Sequence, residues 1–473
     1  MKATNFLFVA ILGVGLAMSS CNNEVIVGDE NNPGDGDGYM SLTLQFPEQG
    51  VSTYAEEAGA GDEVKVSTVT VVFFDAGAVS DIVDLSAATT GDFAISGTKV
   101  KTKAMKISKK DYDVVVLVNK PSNLSITVGD TKSNFETVAA VNLANLTSSS
   151  GFFMTNASSY KKVYASNFQT TETGATDIPV PLKVERAVAK VIVSANTGGI
   201  TVPSGASISN TSITWAVDIK NKEMYWMRKL TKKLELSGSD WIAGAMETEA
   251  DYTSSGREFL YAEDPNFASH ASSEDGKFDK IASGATILNA LDAVEYAPEN
   301  TMQAIDQFRN VSTSVVIKLV YVPSGITDPT TNGYFIYNGT PIEYSTMVGY
   351  IATPATIPAT YPGLAELLAA ESITAPPSAS AEYKNDGNTL TFYFKGVSYF
   401  NVPIKHFKNQ TELMAYGRYG VVRNNVYKLT INSIKGPGYI APDRQYWEDD
   451  EESYISVEFE IMPWYVRDQG IDL

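Results

Sequence analysis

Two alternating stretches near the C-terminus constrain this chain more than any other feature. In the first, Tyr427, Leu429 and Ile431 alternate with Lys428, Thr430 and Asn432. In the second, Ile455, Val457, Phe459 and Ile461 alternate with Tyr454, Ser456, Glu458 and Glu460. A period of two puts each apolar set on one face of a strand, where a helix would scatter it. Between them lies a turn-rich, acidic stretch from Gly436-Pro437-Gly438 to Glu452. Met462-Pro463-Trp464 ends the second pattern and leaves a short tail, Tyr465 to Leu473. An apolar strand at the end of a chain has two uses. It closes its own domain's sheet, or it leaves and completes the sheet of a neighbour.

At 473 residues the chain has room for two domains with cores of their own. Its 44% hydrophobic content, 25 Tyr and 20 Phe mark it as globular. Ser, Thr, Val and Tyr abound and long helical patterns are scarce, which favours a mainly β fold. A net charge of −19 repels phosphate backbones and argues against nucleic acid as a partner. Cys21 is the one cysteine, and His270 and His406 are the two histidines. No intramolecular disulfide is expected, nor a Cys- or His-based metal centre, nor any cofactor.

Other motifs favour bland readings. The carboxylates are not paired for acid–base work, and neither histidine stands in a triad-like arrangement. Gly59-Ala60-Gly61 is followed by no Gly-Lys-Ser/Thr and reads as a loop. Glu448 to Glu452 reads as a solvated acidic loop, and Trp447 and Trp464 as packing aromatics. No enzyme is expected.

Residues 1–21 read as a secretion signal. Lys2 supplies the positive end, and Phe6 to Ala17 is apolar but too short to span a bilayer. Met18-Ser19-Ser20-Cys21 resembles a bacterial lipobox, with Cys21 the lipidated (palmitate-bearing) residue of an exported precursor anchored in the outer membrane. Residues 22–38 form an acidic tether; its Asp35-Gly36-Asp37-Gly38 lacks the distal Glu of a calcium loop.

Strands are expected over Tyr39 to Phe46, Val64 to Asp75 (buried on both faces), Asp111 to Asn119 and Val184 to Ala195. Asn134 to Ser148 contains a helix. Asn196 to Asn210, with its Gly, Ser and Pro, marks a domain boundary. It separates residues 39–200 from 201–473. The second part has strands at Thr211 to Ile219, Val315 to Val322 and Asn388 to Phe394. Helices are expected near Ala285 to Asp292 and over Tyr361 to Ser372, with Pro362 in the first turn. The expected architecture is two tandem Greek-key-like β-sandwiches with a few short helices.

The run Gly417-Arg418-Tyr419-Gly420-Val421-Val422-Arg423-Asn424-Asn425-Val426-Tyr427-Lys428-Leu429 carries a resemblance, together with Ile434-Lys435-Gly436-x-Gly438 and Val457-x-Phe459-x-Ile461-x-Pro463-Trp464. It resembles the C-terminal block of the Bacteroidia fimbrillins, the lipoprotein-derived pilins of type V pili, nearest to the minor-fimbrium (Mfa-like) shaft subunits. Val69 to Asp75, Tyr112 to Asn119, Glu185 to Lys190 and Asn221-Lys222-Glu223 resemble other blocks of that family. The resemblance implies transthyretin-like sandwiches, a cell-surface fimbrium with roles in adhesion and biofilm formation, and identical or related subunits as partners.

It also implies polymerisation by strand donation. The donor would be residues 454–473, with Ile455, Val457, Phe459, Ile461 and Trp464 as its apolar residues. The groove would open when the first strand, Tyr39 to Phe46, is removed. In the family a trypsin-like protease does this by cutting after a basic residue, usually Arg, in the loop behind that strand. This chain departs from the pattern. No Lys or Arg lies between Cys21 and Lys65, and Lys65 falls inside an expected strand. Either Lys65 is the processing site, or a protease of other specificity cuts the 47–63 loop, or there is no cleavage. The alternatives are a lipid-anchored anchor or accessory subunit that keeps its first strand, and a free-standing surface lipoprotein that binds glycan or protein.

Overall fold

The computed structural model describes residues 36–46, 57–59, 61–157, 159–230, 232–237, 240–246, 261–267, 276–282, 286–303, 306–406, 417–442 and 455–465. Cys21, His270, Trp447, the acidic run 448–452 and the tail beyond Tyr465 lie outside them. The architecture is mainly β and sandwich-like, with a few short helices.

The first sheet runs in the order Ala78–Ser86, Thr68–Asp75, Tyr112–Val118, Met154–Asn156, Val180–Arg186, Leu42–Gln45, Lys99–Thr102, Phe93–Ser96. Thr68–Asp75 reads TVTVVFFD and is buried from Val69 to Phe74, so both of its faces meet apolar neighbours. It begins three residues after Lys65, later than the sequence suggests. Met40, Leu42, Leu44, Phe73, Val115, Phe153 and Leu182 share one core.

Val184 to Ala195, expected as one strand, is two. Val180–Arg186 stays in the first sheet. Val188–Ala195 belongs to a second sheet, antiparallel to Val294–Pro298 and parallel to Asn425–Ile434. Ala187 is the fully buried residue between them. Asn424, at φ 59°, secures the switch. Its Oδ1 accepts from Arg186 N at 3.2 Å, and its own N–H donates to Val188 O at 2.9 Å. No glycine or proline announces this break, and apolar residues flank it on both sides, with Glu185 and Arg186 directly before Ala187.

The second sheet runs Val294–Pro298, Val188–Ala195, Asn425–Ile434, Ile455–Tyr465, Glu57–Ala58. Facing it are Ser314–Val322 and its neighbours Thr214–Asp218 and Val397–Pro403. Val191, Trp215, Ile317, Phe400 and Leu429 join both layers in one core.

Between Ser314–Val322 and Val397–Pro403 the chain inserts a four-stranded sheet, ordered Thr340–Glu343, Gly333–Tyr337, Asn388–Phe394, Ala381–Asn385. The helices Tyr344–Ala352 and Leu364–Ala370 pack on it around Phe335, Met347, Leu367 and Phe392. Pro362 stands outside the second helix. Gly363, at φ 80°, precedes Leu364, and a Cβ there would lie 2.5 Å from Asn388 Nδ2. The helix expected near Ala285 to Asp292 is absent from the described residues. Asn289–Ala290 instead pairs with Thr214–Asp218, and Asp292 turns the chain at φ 65°. The helix expected within Asn134 to Ser148 is a pair of single turns, Lys132–Phe135 and Leu143–Leu146, capped by Thr131 and Asn142.

Candidate site formed by the leading and terminal strands

The leading stretch is interior. Tyr39 to Phe46 forms two short strands, Asp37–Met40 and Leu42–Gln45, divided at Ser41. Ser41 Oγ donates to Thr102 O at 2.7 Å, which satisfies a hydroxyl that is 1% exposed. Leu42–Gln45 lies parallel to Val180–Arg186, with Leu42 opposite Val180 and Leu44 opposite Leu182. On its other side it is antiparallel to Lys99–Thr102, with Leu44 opposite Val100. Met40, Leu42, Leu44 and Phe46 are buried. Removing this stretch would bare two rows of backbone N–H and C=O groups beside an apolar slot. Full burial of each such side chain stabilises by about 1.5–3 kcal/mol.

Lys65 is exposed and outside any strand, which corrects its expected place within one. Both ends of the residue are held. Its Nζ donates to Ser149 O at 2.8 Å, and its carbonyl accepts from Asn119 Nδ2 at 2.8 Å. Asn119, at φ 52°, also accepts from Ser67 N at 2.8 Å and donates to Phe152 O at 2.9 Å. A protease would have to pull this stretch off Asn119 before cutting behind Lys65.

Just upstream, Gly61–Glu63 is a 3-10 turn whose Glu63 side chain is buried. Its carboxylate lies 3.2 Å from Lys190 Nζ and accepts from the Tyr296 hydroxyl at 2.7 Å. Its carbonyl accepts from Arg186 Nε at 2.8 Å. Burial lowers the Arg186 guanidinium to about 10, and burial followed by the Glu63 hydrogen bond raises the Tyr296 hydroxyl. Sequence reading missed this cluster. Its partners lie 123 to 233 residues from Glu63, and no local pattern joins Glu63 to them.

The terminal strand, Ile455–Tyr465, is antiparallel to Asn425–Ile434. Leu429 faces Phe459, Tyr427 faces Ile461 and Ile431 faces Val457. Ile455 is buried, while Val457 and Phe459 are partly buried against the second core. For Ile461 and Trp464 the backbone placement is described. Trp464 and Tyr465 pair in parallel with Glu57 and Ala58. The structure therefore seats the candidate donor residues in the chain's own sheet, at the side opposite Val294–Pro298.

The Arg-Asn-Asn block has a structural explanation. Arg423 pairs with Glu299 at 3.0 Å and donates to the carbonyls of Trp226 and Tyr225 at 3.0 and 2.8 Å. Arg228 grips Glu185 through two bonds, at 3.0 and 2.7 Å. All four charged groups are buried. Burial raises Glu185, and the Arg228 charge opposes that rise. Asn425 Nδ2 donates to the carbonyls of Val422 and Arg423 at 3.2 and 3.1 Å. The Tyr427 hydroxyl accepts from Val422 N at 2.8 Å and shares a 2.7 Å bond with His406 Nδ1. His406 is thus packed into the second core's polar floor.

Residues 391–470 match the family described as major fimbrial subunit protein type IV, fimbrillin, C-terminal. The chain is also similar to three solved structures. One is of a protein from Parabacteroides distasonis described as a cell adhesion protein (14% identity, 91% of this chain and 99% of that one, TM-score 0.44). The second is a fimbrilin, FimA, from Porphyromonas gingivalis (14% identity, 91% and 99% coverage, TM-score 0.43). The third is the tip fimbrial protein Mfa3 from Porphyromonas gingivalis (14% identity, 90% and 100% coverage, TM-score 0.36). Among curated proteins, none matches.

Proposed function

We propose that this chain is a structural subunit of a cell-surface fimbrium. In this reading it is exported as a lipoprotein through Cys21 and joined head to tail to identical or related subunits by strand donation. The observation that carries the proposal is the interior place of Leu42–Gln45, bonded to a strand on each side. Loss of the leading segment would leave a sheet with a strand-shaped gap. An incoming alternating strand would satisfy the bared backbone and the apolar slot together. The donor would be residues 454–473, with Ile455, Val457, Phe459, Ile461 and Trp464 filling the slot. Donor and gap lie on different sheets, so the contact is head-to-tail and grows without closing. The folding units are 39–200 and 201–473, with Val188–Ala195 reaching across to the second sheet. The role is structural, in adhesion and biofilm formation, with no catalysis and no cofactor.

One observation favours a second reading, a lipid-anchored accessory subunit that keeps its leading strand. Lys65, the first basic residue after Cys21, is held at both its side chain and its carbonyl. N-terminal sequencing of the filament-borne form separates the two. A shaft subunit begins after Lys65 or within residues 47–63. A lipidated Cys21 start in filaments would assign the accessory role, and purified protein that has lost its leading segment yet never forms detergent-resistant ladders would overturn the polymer reading.

A further inference from the structure

We propose that Glu57–Ala58 and Gly61–Glu63 act together as a strap that holds the terminal strand in its own sheet until the leading segment is lost. The inference rests on the reading that the terminal strand is donated and the leading segment removed. It adds that the two events are coupled within one molecule.

Two independent contacts carry it. The first is backbone pairing. Glu57 and Ala58 lie in parallel against Trp464 and Tyr465, covering the outer edge of the terminal strand at its last residues. The second is the buried seat of Glu63 between Lys190 and Tyr296, with Arg186 bound to its carbonyl. Strand register places these contacts at one end of the second sheet. Tyr296 stands opposite Lys190, Lys190 opposite Val426, and Val426 opposite Met462, two residues before Trp464. Glu63 follows Ala58 by five residues, so the two contacts are tied closely along the chain.

Peeling the terminal strand from Asn425–Ile434 must break the pairing with Glu57–Ala58. Glu63 anchors that pairing, because withdrawing it would strand a buried ion pair. A cut behind Lys65, followed by loss of the preceding chain, removes Leu42–Gln45 and the strap in one step. The acceptor gap and the donor strand would then become available together, and an uncut subunit would offer neither.

The test is hydrogen exchange on the full chain carrying Cys21→Ser, so that no native thiol interferes. Glu63→Ala should speed exchange of Ile455–Tyr465 at least ten-fold and leave Ser314–Val322 unchanged. Glu63→Gln, which keeps an acceptor for Tyr296, should fall between. In a second arm, Ala58→Cys with Tyr465→Cys, oxidised to a disulfide, should slow exchange of the terminal strand, and reduction should restore it. Unchanged terminal-strand exchange in Glu63→Ala, or an equal rise in Ser314–Val322, would overturn the strap. So would exchange indifferent to the disulfide. If Glu63→Ala loosens the strand and cut protein still forms no ladders, the strap stands and strand donation falls.

Discussion

The Tyr427 hydroxyl and His406 Nδ1 lie 2.7 Å apart in the floor of the second core, where the imidazole is 1% exposed. Burial, reinforced by the Arg228 charge, holds His406 down at about 3. In the unfolded chain it titrates near 6.5. Between those values the unfolded state binds the extra proton, so stability is present above pH 6.5 and falls as pH drops through this window. The slope expected from this residue is about 1.4 kcal/mol per pH unit. Urea midpoints measured from pH 7 to pH 4.5 should show it, and His406→Gln should flatten it. Equal slopes for both proteins would dismiss His406 as the source.

Access to Lys65 is set by Asn119. Asn119→Gly keeps the left-handed backbone and removes the amide that binds Lys65 O, Ser67 N and Phe152 O. Trypsin should then cut the folded protein behind Lys65 several-fold faster, giving a new N-terminus at Val66. An unaltered rate would show that the amide does not guard the site.

Val457→Asp with Phe459→Asp tests donation. Both side chains are only partly buried in the chain's own sheet, so a folded monomer should be recovered. Ladders on a denaturing gel should vanish. Ladders of normal length would refute the proposed donor, and a protein too unstable to recover would assign the strand a purely internal role.

The buried pair Arg228–Glu185 should behave asymmetrically. Arg228→Ala leaves a buried carboxylate without its bidentate partner and should cost about 3–5 kcal/mol in denaturant unfolding. Arg228→Met with Glu185→Met should cost much less. Equal losses would mean that packing, not charge, dominates there.

Export is tested at Cys21. Cys21→Ala should abolish lipid labelling and membrane association of the precursor. Retained membrane association would exclude the lipoprotein reading.

Much of the β framework was legible from two patterns. Asn425–Ile434 and Ile455–Tyr465 alternate with a period of two, as does the second half of Ser314–Val322, whereas Thr68–Asp75 and Tyr112–Val118 are short continuous apolar runs buried on both faces. The switch at Ala187 was not legible, since a strand that changes sheets keeps its apolar pattern on both sides of the break. Most of the inserted sheet was missed as well. Gly333–Tyr337 and Ala381–Asn385 are five residues each, and Thr340–Glu343 is four, too short for periodicity to stand out. The helix expected near Ala285 to Asp292 failed because pairing with Thr214–Asp218 overrode local propensity. Of the candidate site, the alternating apolar residues were readable and Glu63 was not. A lone acidic residue in a loop carries no sign of partners on distant strands.

Leu42–Gln45 runs with Val180–Arg186 and against Lys99–Thr102. The space it occupies therefore has a direction. A replacement strand inserted the same way round would renew both ladders, whereas a reversed one would need the opposite bonding pattern on each side. A fibre assembled through this slot would have every subunit pointing the same way, and its two ends would be chemically unlike, one presenting an unfilled slot and the other an unspent strand.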